Sequence, residues 1–485
     1  MITNLEKLSS IPEKICETWK YWGLKQKIVA RALIYGLLGF FVINFNPFGL
    51  NDMAELKSQE AIAKVLSPWY PFGQTKQTEK IVVVLVNGKS LDLISQLPQT
   101  ERIVSANEWP ILYKDHANIL KTLVAHGSPK QIFIDIEFHK VRNTDNSFQS
   151  FLRTLDKLHT KKTVNFSHAA GGIIEKIPHE INQQFERFSS PVLNAWSSDF
   201  MPLLQRLETG EIYLSPALNM YKNISNKSLD LSRYEQEMFV FWRNHFDERF
   251  FDNSSDSSCK SSENSKALES VSMFFGGFLG FEDKERCYPH KVVYLDELQQ
   301  MLSLGAEGKK QINKIFKDAT VLYGTDYIAL GDRYESPTHG TIPGVFYHAM
   351  ALENLIEFDE NYFKSFSKWM DGVLWSALSL FLIIIYFLKE RFEYIKSHTA
   401  PVLGLISIYF ILLIIITIWL RIAPANLLAL LSLIGAALYL SSKEEGCQRK
   451  LIKQTGSVYE QRTNDKKAFL RKRLKSRINK FDINN

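Results

Sequence analysis

The chain has 485 residues, 45% hydrophobic and 23% charged, with net charge +6 and a mean hydropathy of −0.13. That length excludes one ordinary domain, and the hydropathy averages a polar majority with four apolar runs that exclude a uniformly water-facing chain. Charge is sorted as well. Residues 1–27 carry five Lys against three Glu, and from Lys443 onward thirteen Lys or Arg face five acids, which leaves the middle and its apolar flanks net acidic.

In chain order, residues 1–27 read as a cytoplasmic lead, with Trp19, Tyr21 and Trp22 at headgroup level. Residues 28–45 form the first apolar run. Asn44-Phe45-Asn46-Pro47-Phe48 is no small-residue cleavage site, so the run is read as a retained anchor. Asn51 to Val65 suits a helix, broken at Ser67-Pro68-Trp69-Tyr70-Pro71. Ile81-Val82-Val83-Val84-Leu85-Val86 is continuously apolar and largely β-branched, which predicts a strand covered on both faces, as in a parallel sheet. A helical stripe follows over Ile111 to His126, then a second buried strand at Ile132 to Phe138. Together they make a strand–helix–strand crossover.

Ser147 to His159 predicts another helix and Thr163 to Phe166 a short strand. From Ala169 to Tyr288 the pattern weakens: Ile212-Tyr213-Leu214 suits a strand, and the Ser/Asn-rich stretch from Asn253 to Lys266 a loop. Val292 to Tyr294 and Thr320 to Tyr323 predict further strands around a helix at Leu295 to Leu304, and Pro343 opens a helix through Leu355. Three apolar runs close the chain, at 369–388, 401–420 and 425–441, followed by a basic tail at 442–485. Basic flanks favour the inner side of a membrane, so both termini are expected inside and residues 46–368 outside.

On a strand, Asp135, Glu137 and His139 share one face, opposite Ile134, Ile136 and Phe138. They stand at a carboxyl end, where open α/β sheets bind ligands. Asp145 lies in the next loop, and Asp326, Asp332 and Arg333 follow the last strand in the same way. If the two strands are neighbours, these carboxylates converge on one mouth suited to a hard cation or a cationic ligand; the plainer reading is that strands end in polar residues where they meet water. His348, on the Pro343 helix, has an ordinary titration point near ~6.5, and a hydrogen-bonding, helix-facing histidine is favoured over a pH role. Arg421, beside Pro424, is read as a snorkelling residue at a tight turn rather than an ion site. Cys259 and Cys287 fall on the outer side, where they either close a disulfide or stay as two thiols. In the tail, Leu470, Leu474, Ile478 and Phe481 recur at helical spacing, with Arg471, Lys472, Arg473, Lys475 and Arg477 between them. Such a basic amphipathic helix suits anionic lipid or a partner protein rather than nucleic acid.

Three blocks carry a resemblance. They are Ile81 to Leu91 with Trp109-Pro110; Ile132 to Phe138, a strand ending in an Asp and a Phe; and Val321-Leu322-Tyr323-Gly324 with Gly331-Asp332, Pro337, Pro343-Gly344-Val345 and His348-Ala349. In this order, with one apolar run before and three after, the chain resembles the type-two CHASE domain, a sensory module outside the membrane in bacterial signalling receptors. The resemblance implies a periplasmic α/β domain with a mainly parallel sheet, plus four transmembrane α-helices, one N-terminal and three C-terminal, in the bacterial inner membrane. Two positions depart from the family pattern. Asn87-Gly88-Lys89 stands where acidic residues are usual, and Tyr113-Lys114 where an Arg is frequent. Such receptors continue into a cyclase or kinase, whereas about 45 residues follow Leu440 and no Walker loop, kinase loop or cyclase signature is present. The expectation is therefore a non-enzymatic sensory receptor without a cofactor. It contacts membrane lipid, forms a homo-oligomer in one reading, and signals to a separate cytoplasmic effector. A non-catalytic envelope scaffold is the alternative, while a hydrolase using Asp135 and Glu137 lacks a nucleophile arrangement.

Overall fold

The computed structural model describes residues 22–45, 50–72, 79–138, 141–162, 164–171, 183–193, 200–207, 210–225, 228–243, 288–328, 332–365, 368–392 and 400–423, with short pieces within 266–273 and 433–442. His139, Cys259, Cys287 and every tail residue singled out above lie outside the described residues, as does most of the run at 425–441. The chain divides into two units, one built from 56–366 with 411–425 and the other from the remaining N- and C-terminal residues.

The larger unit is organised by a six-stranded sheet. Its strands are β1 (Ile81–Val86), β2 (Gln131–Ile134), β3 (Asn165–Ala169), β4 (Ser189–Val192), β9 (Lys291–Tyr294) and β10 (Thr320–Thr325), in the spatial order β4-β3-β2-β10-β1-β9. Every pairing is parallel. The continuous apolar run of β1 is buried at all six positions, as expected for a central strand covered on both faces. The last strand in sequence, β10, is inserted between β1 and β2, with Leu322 level with both Val83 and Phe133. The smaller pairs β5 (Phe200–Met201) with β8 (Met238–Phe239), β6 (Leu204–Arg206) with β7 (Ile212–Leu214), and β11 (Arg333–Ser336) with β12 (Gly340–Pro343) are antiparallel.

Helices cover both faces. Alternate strand residues (Val82, Val84, Ile132, Ile134, Val321, Tyr323) share one core with Leu91 and Ile94 of α3 (Gly88–Ser95), Ile119 and Leu120 of α4 (Tyr113–Thr122), and Phe151 and Leu155 of α5 (Phe148–Lys162). Leu295 and Leu298 of α7 (Leu295–Ser303) and Ile312 and Phe316 of α8 (Ala306–Phe316) complete it. The opposite face receives α6 (Pro216–Ser225) and α9 (Val345–Phe358); almost every residue of α9 is buried. The Ile111–His126 stripe forms α4 and then one π turn over Leu123–Gly127. The helix expected from Pro343 begins instead at Val345, because Pro343 ends β12. Before the sheet, α2 (Leu50–Leu66) forms where a helix is expected.

In the other unit, α1 (Leu24–Phe45) packs against α10 (Lys368–Arg391). The Arg31 guanidinium lies 3.8 Å over the Tyr386 ring and donates to Tyr35 Oη at 3.3 Å, and Trp375 Nε1 donates to the Tyr35 carbonyl at 3.0 Å. Arg31 breaks the apolarity of the first run, and burying it against an aromatic face compensates its charge. Among the described residues one helix, Gly372–Arg391, is long and apolar enough to cross a membrane, and Gly404–Leu420, within α11 (Ala400–Leu420), is a shorter apolar helix.

Candidate functional site

Because β1, β2 and β10 are parallel neighbours, their carboxyl ends open on one edge of the sheet. There the Asp135 N–H donates to the Tyr323 carbonyl at 2.8 Å and the Asp326 N–H to the Val86 carbonyl at 2.9 Å. The chain turns outward from β10, makes the β11–β12 hairpin and returns as α9, whose N-terminus therefore sits over the same edge. The Gly344 N–H donates to the Asp332 carbonyl at 3.1 Å, which fixes Asp332 beside the first turn of α9. Gly324 permits this approach: a Cβ there would lie 3.2 Å from Val345 Cβ and 3.6 Å from Asp135 Cβ.

Asp135, Glu137 and Asp332 lie near enough at this mouth for their charges to act on one another. Burial pushes the Asp135 carboxyl well above the usual carboxylate range, and the charges of Asp332 and Glu137 push it the same way. Asp332 is raised to about 6 by burial and then by Glu137, against the opposing charge of Arg333. Asp135 Oδ2 is buried with no hydrogen-bond partner among the described residues. Arg333, expected in the same group, turns to Asp326, with Nη1 3.1 Å from Oδ1. His348 is fully buried against the edge of the Phe133 ring, with centroids 5.5 Å apart, and its Nε2 is 4.0 Å from Asp135 Oδ1. Burial lowers its titration to about 3, so the imidazole is neutral and this contact is not an ion pair.

Asp145 is not brought to the mouth. It lies with the helices of the other face, where its carboxylate accepts from the Tyr113 N–H at 2.7 Å and the Ser147 N–H at 3.0 Å, with Arg142 Nη2 at 3.3 Å. Burial alone would raise it, but the Ser147 hydroxyl and these N–H groups hold it below the usual range. It staples the loop after β2 to the start of α4. The two family departures find their place here too. Asn87 caps α3, accepting from the Ser90 N–H at 2.8 Å. The Tyr113 ring lies 4.4 Å beneath the Arg142 guanidinium, so an arginine reaches this spot from another loop.

One buried polar cluster has no local signal in the sequence. Glu353, on α9, receives Arg243 Nε at 3.0 Å and a second contact from Arg243 Nη2, while His290 Nε2 donates to its other oxygen at 2.9 Å. Burial alone would raise this carboxyl, yet the Arg243 charge and the His290 hydrogen bond hold it at about 2. Next to it, Asn354 Oδ1 accepts from the Phe241 N–H at 3.1 Å and its Nδ2 donates to the Phe241 carbonyl at 2.9 Å. Arg421 is placed at the far end of α9. In a left-handed turn (φ 52°), its Nη1 donates to the Asn361 carbonyl at 2.9 Å, and its guanidinium lies 4.7 Å over the Phe358 ring.

A parallel sheet covered by helices on both faces, with buried polar groups at its carboxyl edge, defines an open α/β domain of the doubly covered class. The model of the CHASE2 domain matches residues 35–386, so the chain belongs to the CHASE2 family of sensory domains. No curated protein and no solved structure matches it.

Proposed function

We propose that this protein is a multi-pass receptor of the bacterial inner membrane whose α/β unit senses conditions outside and signals to a separate cytoplasmic protein. The observation that carries the reading is the extent of the family match. It begins inside α1 and ends inside α10, so two apolar helices bracket the sensory domain as parts of one module. The sorted charge supports it, with basic ends and an acidic middle. In this reading α1, α10, α11 and the run at 425–441 are the four spans. The mouth at Asp135, Glu137 and Asp332 is the receiving end, and the basic stripe from Leu470 to Phe481 docks on lipid or on the effector.

The test is made in intact cells. Leu304, half-exposed between α7 and α8, is changed to Cys in a chain whose native cysteines are Ser, and a membrane-impermeant maleimide is added. Labelling without permeabilisation is expected, and labelling only after permeabilisation contradicts the outward placement. Deleting residues 443–485 is expected to leave the outer unit folded and to abolish crosslinking to a cytoplasmic protein. A crosslinked partner that survives the deletion would move the reading to the scaffold alternative.

A further inference from the structure

The sheet is polarised along its strands. Its carboxyl edge carries Asp135, Asp326 and Asp332, and its amino edge collects lysines. Lys80 precedes β1 and Lys130 precedes β2. The Thr320 N–H donates to the Lys80 carbonyl at 2.8 Å and the Lys130 N–H to the Ala319 carbonyl at 3.0 Å, so the two flank the entry to β10. Lys317 stands in the turn before β10. Lys314 lies in the last turn of α8, where its carbonyl accepts from Lys80 Nζ at 3.4 Å. On the other face Lys222 lies in the last turn of α6, next to Asn223, whose Nδ2 donates to Gln131 Oε1 at 3.1 Å. Lys130, Lys222, Lys314 and Lys317 are exposed. The five lysines outnumber the acids that stand among them, Glu79, 2.8 Å from Lys130, and Asp318.

The chain also leaves this unit at the amino edge. Asp359, just past α9, accepts from Tyr234 Oη at 2.7 Å and from Tyr221. The carbonyl of Met220, beside Tyr221, accepts from Gln131 Nε2 at 3.1 Å, and Gln131 opens β2. Shortly beyond, the Lys364 N–H donates to the Arg421 carbonyl at 3.1 Å and the Ala423 N–H to the Lys364 carbonyl at 2.8 Å, which pins the end of α11 here. Phe358, the last residue of α9, lies 4.7 Å beneath the Arg421 guanidinium and 5.9 Å from the Tyr70 ring. The tryptophans next to these contacts face outward: Trp69 is 45% exposed and Trp419, at the end of α11, 80%. Tryptophan at the end of an apolar helix marks headgroup level, and lysines at that level meet lipid phosphate.

We propose that the amino edge of the sheet docks on anionic phospholipid headgroups of the outer leaflet, with Trp69 and Trp419 among the headgroups and Lys80, Lys130, Lys222, Lys314 and Lys317 on the phosphates. The proposal rests on the receptor reading and deepens it by giving the outer unit a lipid partner of its own, separate from that of the basic tail. Charge sets the orientation too. Headgroups attract the lysine edge and repel the carboxylates of the other, which holds the mouth away from the bilayer. A lysine close to such a surface is worth about fivefold in affinity, and the attraction fades within a Debye length, about 8 Å in physiological salt.

The experiment is amine labelling of the full chain, read by peptide mass, in nanodiscs of phosphatidylcholine and in nanodiscs rich in phosphatidylglycerol. Lys89, exposed beside the carboxyl edge, is the internal reference. Relative to Lys89, labelling of Lys314 and Lys317 is expected to be about fivefold slower in the anionic discs. The difference is expected to vanish in about 1 M salt, where the Debye length is about 3 Å. Lys222→Gln combined with Lys317→Gln changes two exposed side chains and is expected to return Lys314 in anionic discs towards its rate in phosphatidylcholine. Lys222→Glu with Lys317→Glu is expected to do so fully. Equal labelling in the two lipids overturns the docking, whether both rates are fast, as for a free edge, or both slow, as for an edge covered by a second copy of the chain. Slowing that survives about 1 M salt, or that persists in both double variants, also overturns it. Each of these failures leaves the maleimide result intact, so loss of the docking and loss of the receptor reading are told apart.

Discussion

Two carboxylates on the same face of the sheet, Glu353 within α9 and Asp135 beside its first turn, are both shut away from water and have opposite chemistry. Glu353 meets a guanidinium and an imidazole N–H, which outweigh burial and keep it ionised. Asp135 meets Asp332 and Glu137, which add to burial and favour its neutral form. A buried acid whose oxygens are all answered ties segments together, here Arg243 and His290 to α9. A buried acid left with an unanswered oxygen stores a dependence on solution conditions, and such groups concentrate at functional sites. The contrast is between a charge held in a tie within α9 and a carboxyl favoured neutral beside it.

The largest expected effect breaks the tie. Glu353→Ala leaves the mostly buried Arg243 without its partner and should cost about 3–5 kcal/mol of stability in denaturant unfolding of the full chain. A comparable loss from Asp135→Ala would erase the contrast. Next comes Gly324→Ala, where the new methyl would lie 3.2 Å from Val345 Cβ and press it back by a few tenths of an ångström, costing about 1–3 kcal/mol. The pH dependences then sharpen the comparison, because they run in opposite directions. The folded-state titration of Asp332 is raised to about 6, so the stability it contributes is full below its ordinary value near ~4 and lost as pH rises through about 6. Glu353 is depressed to about 2, so its contribution is full above its ordinary value near ~4.3 and lost as pH falls toward about 2. Thermal unfolding measured across pH should show both slopes, with Asp332→Asn flattening only the upper one. The smallest effect belongs to the half-exposed Arg206–Glu235 pair, 2.7 Å apart, where Arg206→Ala should change stability by about 0–1 kcal/mol.

How much of this was legible depended on how local the signal was. The three central strands announced themselves as continuous apolar runs, since each is covered on both faces. Asp135, Glu137 and Asp332 could be grouped from sequence because the carboxyl ends of neighbouring parallel strands share an edge. Asp145 follows them closely in the chain, but the loop after β2 carries it to the other layer, where Tyr113 and Ser147 claim it. The start of α3 is hidden because Asn87-Gly88 reads as a turn, although the same Asn serves as a cap. The β11–β12 hairpin is too short to show alternation. Glu353 looks like any surface acid of a helix, and only the burial of α9 on nearly all sides, with Arg243 arriving from 110 residues away, turns it into a tie.

Burial and like charges favour the protonated form at Asp135 and Asp332, whereas Glu353 stays ionised. Difference infrared spectroscopy of the protonated carboxyl stretch reads this directly, comparing the full chain with Asp332→Asn and Glu353→Gln from about pH 5 to about pH 8. A protonated-carboxyl band that fades through about pH 6 is expected, diminished in Asp332→Asn and unchanged in Glu353→Gln. A band that is absent at the acid end, or one that Glu353→Gln removes and Asp332→Asn leaves in place, would contradict it.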